Sequence, residues 1–206
     1  MGDRGIGRLA AVLIVLSACA LCGCGEGTGQ APPAAGPPIA ARSFNSDVPF
    51  RIWVVREEEG TREYIGYTPA AEPIMIPACW VWGVTLPPGK GKADMRAVAQ
   101  EMAAQNIPGL QINSATDADL ANLKDLRGLR VFVLINSYAT DAGLAHLKEL
   151  KGLEALNLSG TQETDTSLEH LDQLQRLQRL DLSDTKVTAA GVEEFKRAMP
   201  NVHVEH

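Results

Sequence analysis

The sequence predicts an α/β fold, in which a short parallel sheet with helices on its convex side follows a small antiparallel β module. Leucines recur with a 24-residue period through the second half of the chain. Four β-branched and aromatic runs, separated by turn residues, lie between residues 44 and 86. An apolar N-terminal run and a stretch rich in glycine and proline precede both regions.

The composition is that of a globular protein with an acidic surface. Hydrophobic residues make up 45% of the 206 residues and charged residues 21%, and the formal net charge is −6. An acidic chain lacks the positive surface that binds phosphate backbones, so we expect no nucleic-acid partner. We expect a monomer.

The first 24 residues have the pattern of an export signal. Arg4 and Arg8 precede an uncharged run from Leu9 to Leu21, which is shorter than the roughly 20 apolar residues of a membrane span. Leu16-Ser17-Ala18-Cys19 resembles the bacterial lipobox, and the segment ending at Cys24 is a less typical match. This resemblance implies lipidation of Cys19, with Cys24 as the alternative; a plain cleaved secretory signal also fits.

The lipobox resemblance also implies a location. An acylated cysteine would attach the chain to a lipid bilayer in the cell envelope, facing the periplasm or the exterior. Residues 25–43 contain four glycines, four prolines and five alanines among 19 residues, so we expect a linker there.

Residues 44–92 are predicted to form the small antiparallel β module. The strand candidates are residues 50–56, 63–67, 74–77 and 78–86. Aromatic residues cluster here, because a small sheet needs large side chains to form a core; a surface for glycans or peptides is the alternative interpretation. We expect the module to dock on the domain that follows, and Cys79 to be buried.

The 24-residue period organises residues 105–200. Three ungapped units cover residues 129–152, 153–176 and 177–200, and the preceding 24 residues fit from their middle onward. Position 6 is always leucine: Leu110, Leu134, Leu158 and Leu182. Position 12 is always threonine, at Thr116, Thr140, Thr164 and Thr188, before an apolar stripe of helical spacing, which predicts that a helix begins there.

The pattern L-x-x-L-x-L-x-x-(small polar) resembles the leucine-rich repeat (LRR). It is most similar to the 24-residue form of bacterial lipoproteins and of ribonuclease-inhibitor-like arrays. The resemblance implies a short solenoid, in which each unit gives a strand, a turn and a helix, and units stack because none covers its own apolar stripe. It also implies that small polar residues at position 9 bond backbone groups at the turn: Asn113, Ser137, Thr161 and Thr185.

Both ends of such an array need protection. Residues 93–105 have apolar side chains at helical spacing, and we expect them to form the N-terminal capping helix of a domain covering residues 93–206. Residues 201–206 are expected to form a closing strand whose register departs from the 24-residue period.

We found no motif that predicts catalysis, a cofactor or a metal. His146 and His170 occupy equivalent positions of neighbouring units, too far apart for a shared zinc ion. Gly89-Lys90-Gly91-Lys92-Ala93 lacks the first glycine and the hydroxyl residue of a phosphate-binding loop. We therefore expect a protein without enzymatic activity.

The LRR resemblance implies that positions 3, 5 and 7 project from the concave sheet face and bind a protein. The residues of this predicted face are Val131, Val133, Ile135, Asn157, Arg179 and Asp181. A second interpretation is that residues 44–92 cover the apolar row, in which case binding shifts to Arg179 and Asp181. The functional hypothesis is an anchored envelope protein that binds an unknown protein partner; the alternative is a structural or glycan-contacting lipoprotein that acts through Trp80 and Trp82.

Overall fold

A computed structural model describes residues 40–55, 62–77, 79, 81–86 and 94–206. The strands are β1 (Arg42–Phe44), β2 (Arg51–Val55), β3 (Arg62–Tyr67), β4 (Ile74–Ile76), β5 (Val81–Thr85), β6 (Gly109–Asn113), β7 (Val131–Ile135), β8 (Ala155–Asn157), β9 (Arg179–Asp181) and β10 (His203–Glu205). The helices are α1 (Met95–Gln105), α2 (Asp117–Ala121), α3 (Asp141–Leu144), α4 (Asp165–Leu171) and α5 (Ala189–Ala198), with a 3₁₀ turn at Leu147–Glu149.

One eight-stranded sheet runs through the molecule in the order β10-β9-β8-β7-β6-β5-β2-β3. Strands β5 to β10 are parallel, and β2 and β3 are antiparallel additions at one edge. The α/β fold class with repeated parallel strands is confirmed.

From β7 to β10 the strand register follows the 24-residue period. Strand β6 departs from it by two residues: Ile112 pairs with Leu134, so the predicted alignment of Leu110 with Leu134 is wrong. Leu110, Phe132, Leu156 and Leu180 lie side by side across β6 to β9. Val204 of β10 pairs with Leu180, again 24 residues away, so the expectation that the last strand leaves the period is wrong. The closing strand is therefore a further rung of the same ladder.

Threonine begins each repeat helix, as the sequence predicts. Thr116, Thr140, Thr164 and Thr188 are the N-terminal capping residues of α2 to α5. The last three caps are also held by the preceding unit: Asp141, for example, accepts hydrogen bonds from the amide N of Thr164 at 2.9 Å and from its Oγ1 at 2.7 Å. The same pair of bonds joins Asp117 to Thr140 and Asp165 to Thr188.

We call these three aspartates, with their threonine partners, the aspartate ladder. The ladder requires small residues at position 15. A Cβ atom on Gly143 would lie 2.3 Å from Asp117 Oδ1, and one on Gly191 would lie 2.3 Å from Asp165 Oδ1. Neighbouring units are thus locked together along the N-terminal ends of their helices.

The turn after each repeat strand uses the hydroxyl groups expected at position 9. Ser137 Oγ accepts from the Ala115 amide at 3.1 Å, and Thr185 Oγ1 donates to the Leu182 carbonyl at 2.7 Å. Thr161 Oγ1 donates to the Leu158 carbonyl. The predicted role of these side chains in satisfying turn backbone is confirmed for these three. Asn113, the fourth residue of the prediction, lies within β6 opposite Ile135, and its Oδ1 accepts instead from Gln111 Nε2 at 3.5 Å.

The N-terminal strands contact the repeats through the edge of the sheet. Strand β5 hydrogen-bonds to β6 in parallel, and β2 and β3 extend the sheet beyond it. Helix α1 lies between β5 and β6 in the chain and buries Met95, Val98 and Met102, so it occupies the place of a repeat helix. The array is extended by strands beyond α1 and does not end at this helix.

One hydrophobic core lies between the sheet and its convex layer, and it contains the leucines of all the units. At the N-terminal end the antiparallel pair β1–β4 contributes to this core through Phe44 and Ile76. The Phe44 and Trp82 rings meet edge to face at 5.2 Å between centroids. Trp82 has no exposed surface, and Cys79 is buried as expected.

Several predictions concern residues outside the described part of the chain. The signal segment, Cys19, Cys24 and nearly all of the linker lie there, as does Trp80. The domain boundaries at residues 24, 43 and 92 therefore stay predictions. Among the described residues, no helix combines the length and apolar character that a membrane crossing requires.

Candidate binding surface on the concave sheet face

The concave face of the sheet carries two long rows of side chains, defined by strand register and by the alternation of side chains along each strand. The first row contains Trp53, Gly83, Gly109, Val131, Ala155, Arg179 and His203. The second row contains Arg51, Thr85, Gln111, Val133, Asn157, Asp181 and Glu205. A shorter third row contains Asn113 and Ile135, which pair on β6 and β7, and it continues with Ser159 and Ser183, two residues past the ends of β8 and β9.

Trp53 lies flat across the first row because two neighbouring strands carry glycine there. A Cβ atom on Gly83 would lie 2.3 Å from Trp53 Cζ2, and one on Gly109 would lie 2.5 Å from Trp53 Cη2. Real Cβ atoms do not approach other heavy atoms so closely, so only glycine admits the indole ring at both positions. The tryptophan thereby reaches from β2 over β5 to β6.

The apolar row of the predicted face is covered by this arrangement. Val131 and Val133 are 7% and 3% exposed, and they form a buried cluster with Trp53, Val81 and Ala155. Ile135 is half-buried and packs against the same cluster. Of the two interpretations left open by the sequence, the structure matches the second, in which residues 44–92 cover the valines.

Asn157 and Asp181 are buried and hold each other. Asn157 Nδ2 donates to Asp181 Oδ2, while Asn157 Oδ1 accepts from the amide N and Oγ of Ser159 at 2.9 and 2.8 Å. Asp181 Oδ1 accepts from the Ser183 amide at 3.0 Å. These two members of the predicted face are therefore engaged inside the protein, whereas Arg179 is half-buried and His203 beside it is exposed.

The N-terminal end of the same face carries a group of residues that the sequence analysis missed. We call Arg51, Trp53, Arg62, Tyr64 and Gln111 the arginine–aromatic cluster. The Arg51 guanidinium carbon lies 3.4 Å from the centroid of the Tyr64 ring, and that of Arg62 lies 4.1 Å from the centroid of Trp53. Arg62 Nη1 also donates a hydrogen bond to Gln111 Oε1.

Four buried polar atoms at this end of the face have no hydrogen-bond partner. They are Arg51 Nε, Trp53 Nε1, Arg62 Nε and Thr85 Oγ1. Burial lowers the pKa of Arg62, and interaction with Tyr64 partly offsets this shift. Buried polar groups in proteins are normally paired, so this concentration marks the region as unusual.

A sequence signal for the cluster did exist. Strand alternation places Arg51, Trp53 and Val55 on one face of β2, opposite the face that carries Ile52 and Val54. An arginine and a tryptophan on the same outer face of a strand indicate a binding surface. The contribution of Arg62, Tyr64 and Gln111 depends on strand pairing, which the sequence does not give.

The opposite side of the sheet contains one unusual acid. Glu163 has no exposed surface, and neither of its carboxylate oxygens has a hydrogen-bond partner by distance and angle. Its position 11 is filled by Ala115, Ala139 and Val187 in the other units. Burial raises the pKa of Glu163, with an opposing contribution from the nearby Thr161.

Metal ligands do not assemble in the described part of the chain, where no group of three or more His, Cys, Asp or Glu side chains could hold an ion. His146 lines a shallow convex groove together with Lys124, Asp125, Arg127 and Lys148. This groove mixes both signs of charge.

Comparison with known proteins yields fold-level likeness only. No protein-family profile matches the chain, and no curated protein matches it either. An internalin (inlF) from Listeria monocytogenes is similar over 55% of this chain, at 17% identity and a TM-score of 0.37; the chain spans 37% of that protein's length. The LRR ectodomain of the receptor kinase SOBIR1 from Arabidopsis thaliana is similar over 100% of this chain and 93% of its own, at 12% identity and a TM-score of 0.36.

The two TM-scores are too low to support any conclusion on their own. The assignment of a leucine-rich-repeat solenoid therefore depends on features of this chain: the parallel strands, the 24-residue register and the helices on the convex side.

Proposed function

We propose that this chain is a non-catalytic module that binds a protein partner through the concave face of its sheet. The observation that carries the proposal is the continuity of that sheet over eight strands, whose two long rows keep partly or fully exposed side chains at both ends: Arg51, Gln111, Arg179, His203 and Glu205. Such a broad surface suits a macromolecule better than a small molecule, which is normally enclosed in a cleft.

Within this face the C-terminal contact residues are Arg179, His203 and the serines of the third row. Arg179 and His203 lie side by side on β9 and β10. Asn157 and Asp181 stabilise this surface without contacting the partner, because their polar groups already bond neighbouring residues. Arginine is enriched among residues that dominate binding energy, so we assign Arg179 the larger share at this end.

We also propose that the chain is a lipid-anchored protein of the cell envelope. The support is the sequence Leu16-Ser17-Ala18-Cys19 after an apolar run, followed by a linker long enough to separate a domain from a bilayer. Mass spectrometry of the mature N-terminus tests this proposal. A diacylated cysteine supports it, and an unmodified N-terminus at any position contradicts it.

Partner capture tests the binding proposal. The full chain, purified in detergent, would be used to capture proteins from envelope extracts, with the double variant Arg179→Glu/His203→Glu alongside Arg176→Glu, which reverses an exposed charge outside the concave rows. We expect the amount of captured partner to fall at least tenfold with the double variant and to stay unchanged with Arg176→Glu. Equal capture by all three proteins would contradict a concave contact at this end.

The alternative of a glycan surface on the tryptophans has less support. Trp82 is enclosed by the core, so its ring offers no free face for a sugar, and the same holds for Trp53 beneath Arg62. Trp80, the other tryptophan of this alternative, lies outside the described residues.

A further inference from the structure

The last repeat strand, β10, uses only one side of its backbone within the described part of the chain. It is a terminal strand of the eight-stranded sheet and pairs with β9 alone. The His203 amide donates to the Gln178 carbonyl at 2.8 Å, and the Glu205 carbonyl accepts from the Leu182 amide at 2.8 Å. Because successive residues of a strand direct their backbone groups to opposite sides, the N–H and C=O of Val204 point away from β9.

The hydrophobic core is less well covered at this end of the array than inside it. Val204 continues the row of Leu156 and Leu180, which are 0% and 1% exposed, but Val204 itself is only partly buried. Met199 is also partly buried against the core, at a position where the two preceding units carry a lysine and a glutamine. The end of a repeat array normally has a polar outer face, so these apolar side chains indicate a surface that another protein covers.

The side chains beside Val204 carry groups that complement each other. His203 and Glu205 both lie on the concave face, one on each side of Val204. If two copies of β10 run antiparallel about a two-fold axis at Val204, His203 of each copy lies opposite Glu205 of the other. The imidazole N–H can then donate to the carboxylate, and the two Val204 residues exchange both of their outward backbone hydrogen bonds.

Other registers of the same pairing lose this complementarity. An axis at His203 sets two imidazoles opposite each other, and an axis at Glu205 sets two carboxylates opposite each other. A shift by one residue places His203 beside Val204, and thus the concave face of one copy beside the convex face of the other. The side chains therefore select the register centred on Val204.

We propose that two copies of this chain associate through β10, by antiparallel pairing centred on Val204. The dimer joins the two eight-stranded sheets edge to edge, brings helix α5 of each copy to the same convex side, and covers Val204 and Met199. Each copy contributes one short strand and one helix, which is a small contact, so the association is weak and depends on concentration. The inference goes beyond the proposed function and does not rest on it.

Sedimentation equilibrium of the full chain, in a detergent matched to the density of the solvent, measures the dissociation constant of the dimer. We expect a reversible equilibrium between monomer and dimer, whereas the sequence led us to expect a monomer. A monomer at every concentration reached would overturn the inference. Association through a shared detergent micelle is the competing explanation, and the variants below separate it from strand pairing.

Val204→Pro tests the backbone contact. Proline removes the outward N–H of residue 204 and leaves the hydrogen bonds between β10 and β9 in place, which is how proline is tolerated in edge strands. We expect the dissociation constant to rise at least tenfold, while Val204→Ile, the control that keeps the N–H, stays within threefold of the unmodified chain. An unchanged dissociation constant in Val204→Pro would overturn strand pairing and assign the association to the micelle.

Two charge substitutions test the register. Glu205→Lys sets two basic side chains opposite each other and should raise the dissociation constant at least fivefold, whereas His203→Glu/Glu205→Lys restores opposite charges and should return it to within twofold. Glu149→Lys, which reverses an exposed charge on the convex side, should leave it unchanged. Failure of the double variant to restore the dimer would overturn the register centred on Val204. Circular dichroism and thermal unfolding confirm that each variant is folded.

Arg179→Glu separates this inference from the capture of a partner protein. Arg179 lies on β9, one strand inside the edge, so we expect this variant to dimerise like the unmodified chain. Loss of the dimer in Arg179→Glu would contradict a contact confined to β10. Loss of partner capture by a dimeric Arg179→Glu chain would support the concave contact independently of the dimer.

Discussion

The two ends of the concave face treat their buried polar groups in opposite ways. At the C-terminal end, Asn157 and Asp181 satisfy each other across neighbouring strands and bond the chain ahead of them. At the N-terminal end, Arg51, Arg62, Trp53 and Thr85 each have a buried donor or acceptor without a partner.

The difference follows from the repeat. Within the repeats a polar side chain meets a partner in the next unit, as Asn157 meets Asp181, so one satisfied pair can be copied along the array. The aspartate ladder shows the same, with each aspartate bonded to the threonine 23 residues later. Strands β2 and β3 stand outside that rule, and their polar residues need partners from elsewhere. Polar side chains that recur with the repeat therefore serve the structure of this protein, whereas the unpaired ones outside the repeat are the candidates for binding.

The largest expected effect comes from the glycines that seat Trp53. Gly83→Ala should lower the free energy of unfolding by about 3 kcal/mol, since the new Cβ would meet Trp53 at 2.3 Å and the Gly109 carbonyl oxygen at 2.5 Å. Chemical unfolding followed by circular dichroism measures the change. Gly128→Ala is the control, because nothing lies within 4 Å of a Cβ there, and an equal loss in both variants would contradict the close packing of Trp53.

The aspartate ladder gives the next largest effect. Asp141→Ala removes both hydrogen bonds to Thr164 and should cost about 1–2 kcal/mol of unfolding free energy. Asp125→Ala removes an exposed carboxylate from a neighbouring unit and should change it by less than about 0.5 kcal/mol. Equal effects of the two substitutions would mean that the ladder does not hold the units together.

Unlike the substitutions above, replacement of the buried acid Glu163 should stabilise the folded protein. Burial raises the pKa of Glu163, so between its ordinary value of 4.5 and the raised pKa the carboxyl group is ionised in the unfolded chain but protonated in the folded chain. Folding stability is thus lost as pH rises through the raised pKa. Glu163→Gln should raise the unfolding free energy at pH 8 by on the order of 1 kcal/mol, with a smaller gain at pH 4.

Asp165 should give the opposite dependence of stability on pH. Hydrogen bonds from the Thr188 amide and hydroxyl lower the pKa of Asp165, so its stabilising contribution is present above its ordinary value of 3.8 and is lost as pH falls through the lowered pKa. Thermal unfolding between pH 2 and 8 measures both effects, the loss of stability at high pH from Glu163 and the loss at low pH from Asp165. A gain from Glu163→Gln that does not depend on pH would contradict the assignment of a buried, protonated acid.

The smallest effect is expected for two arginines, one of which, Arg130, forms an ion pair while the other, Arg62, forms none with the described residues. Arg130→Gln breaks the half-exposed pair with Glu154 and should lower the unfolding free energy by about 0.5 kcal/mol. Arg62→Gln should lower it by less, or raise it, because it removes a largely buried cation whose pKa is lowered by burial and which forms no ion pair within the described part of the chain. A larger loss from Arg62→Gln than from Arg130→Gln would show that Arg62 serves the fold.

The sequence was informative where one periodic rule decides the outcome. Leucine at position 6 placed the strands of residues 129–200, and threonine at position 12 placed the helix starts of residues 105–200. Strand β6 lies two residues later than this pattern predicts, because Leu110 pairs with Phe132. Short strands β2 and β3 were located from their β-branched and aromatic residues, but their partners were not.

The candidate site was only partly accessible to the same reasoning. The burial of Val131 and Val133 depends on Trp53, which is almost 80 residues away in the chain, and on the absence of a side chain at Gly83 and Gly109. The cluster around Arg62 depends on Gln111, which lies in a different unit. Such contacts arise from strand order, which local pattern does not encode.

The constant 24-residue spacing from Val131 through Ala155 and Arg179 to His203 has a consequence for how this gene can change. A whole unit inserted in frame would present the same strand and helix edges that it meets, so the array can lengthen by tandem duplication without redesign of either terminus. Strands β2 and β3 would remain fixed while the distance to the last strand grows by about 4.8 Å for each added copy.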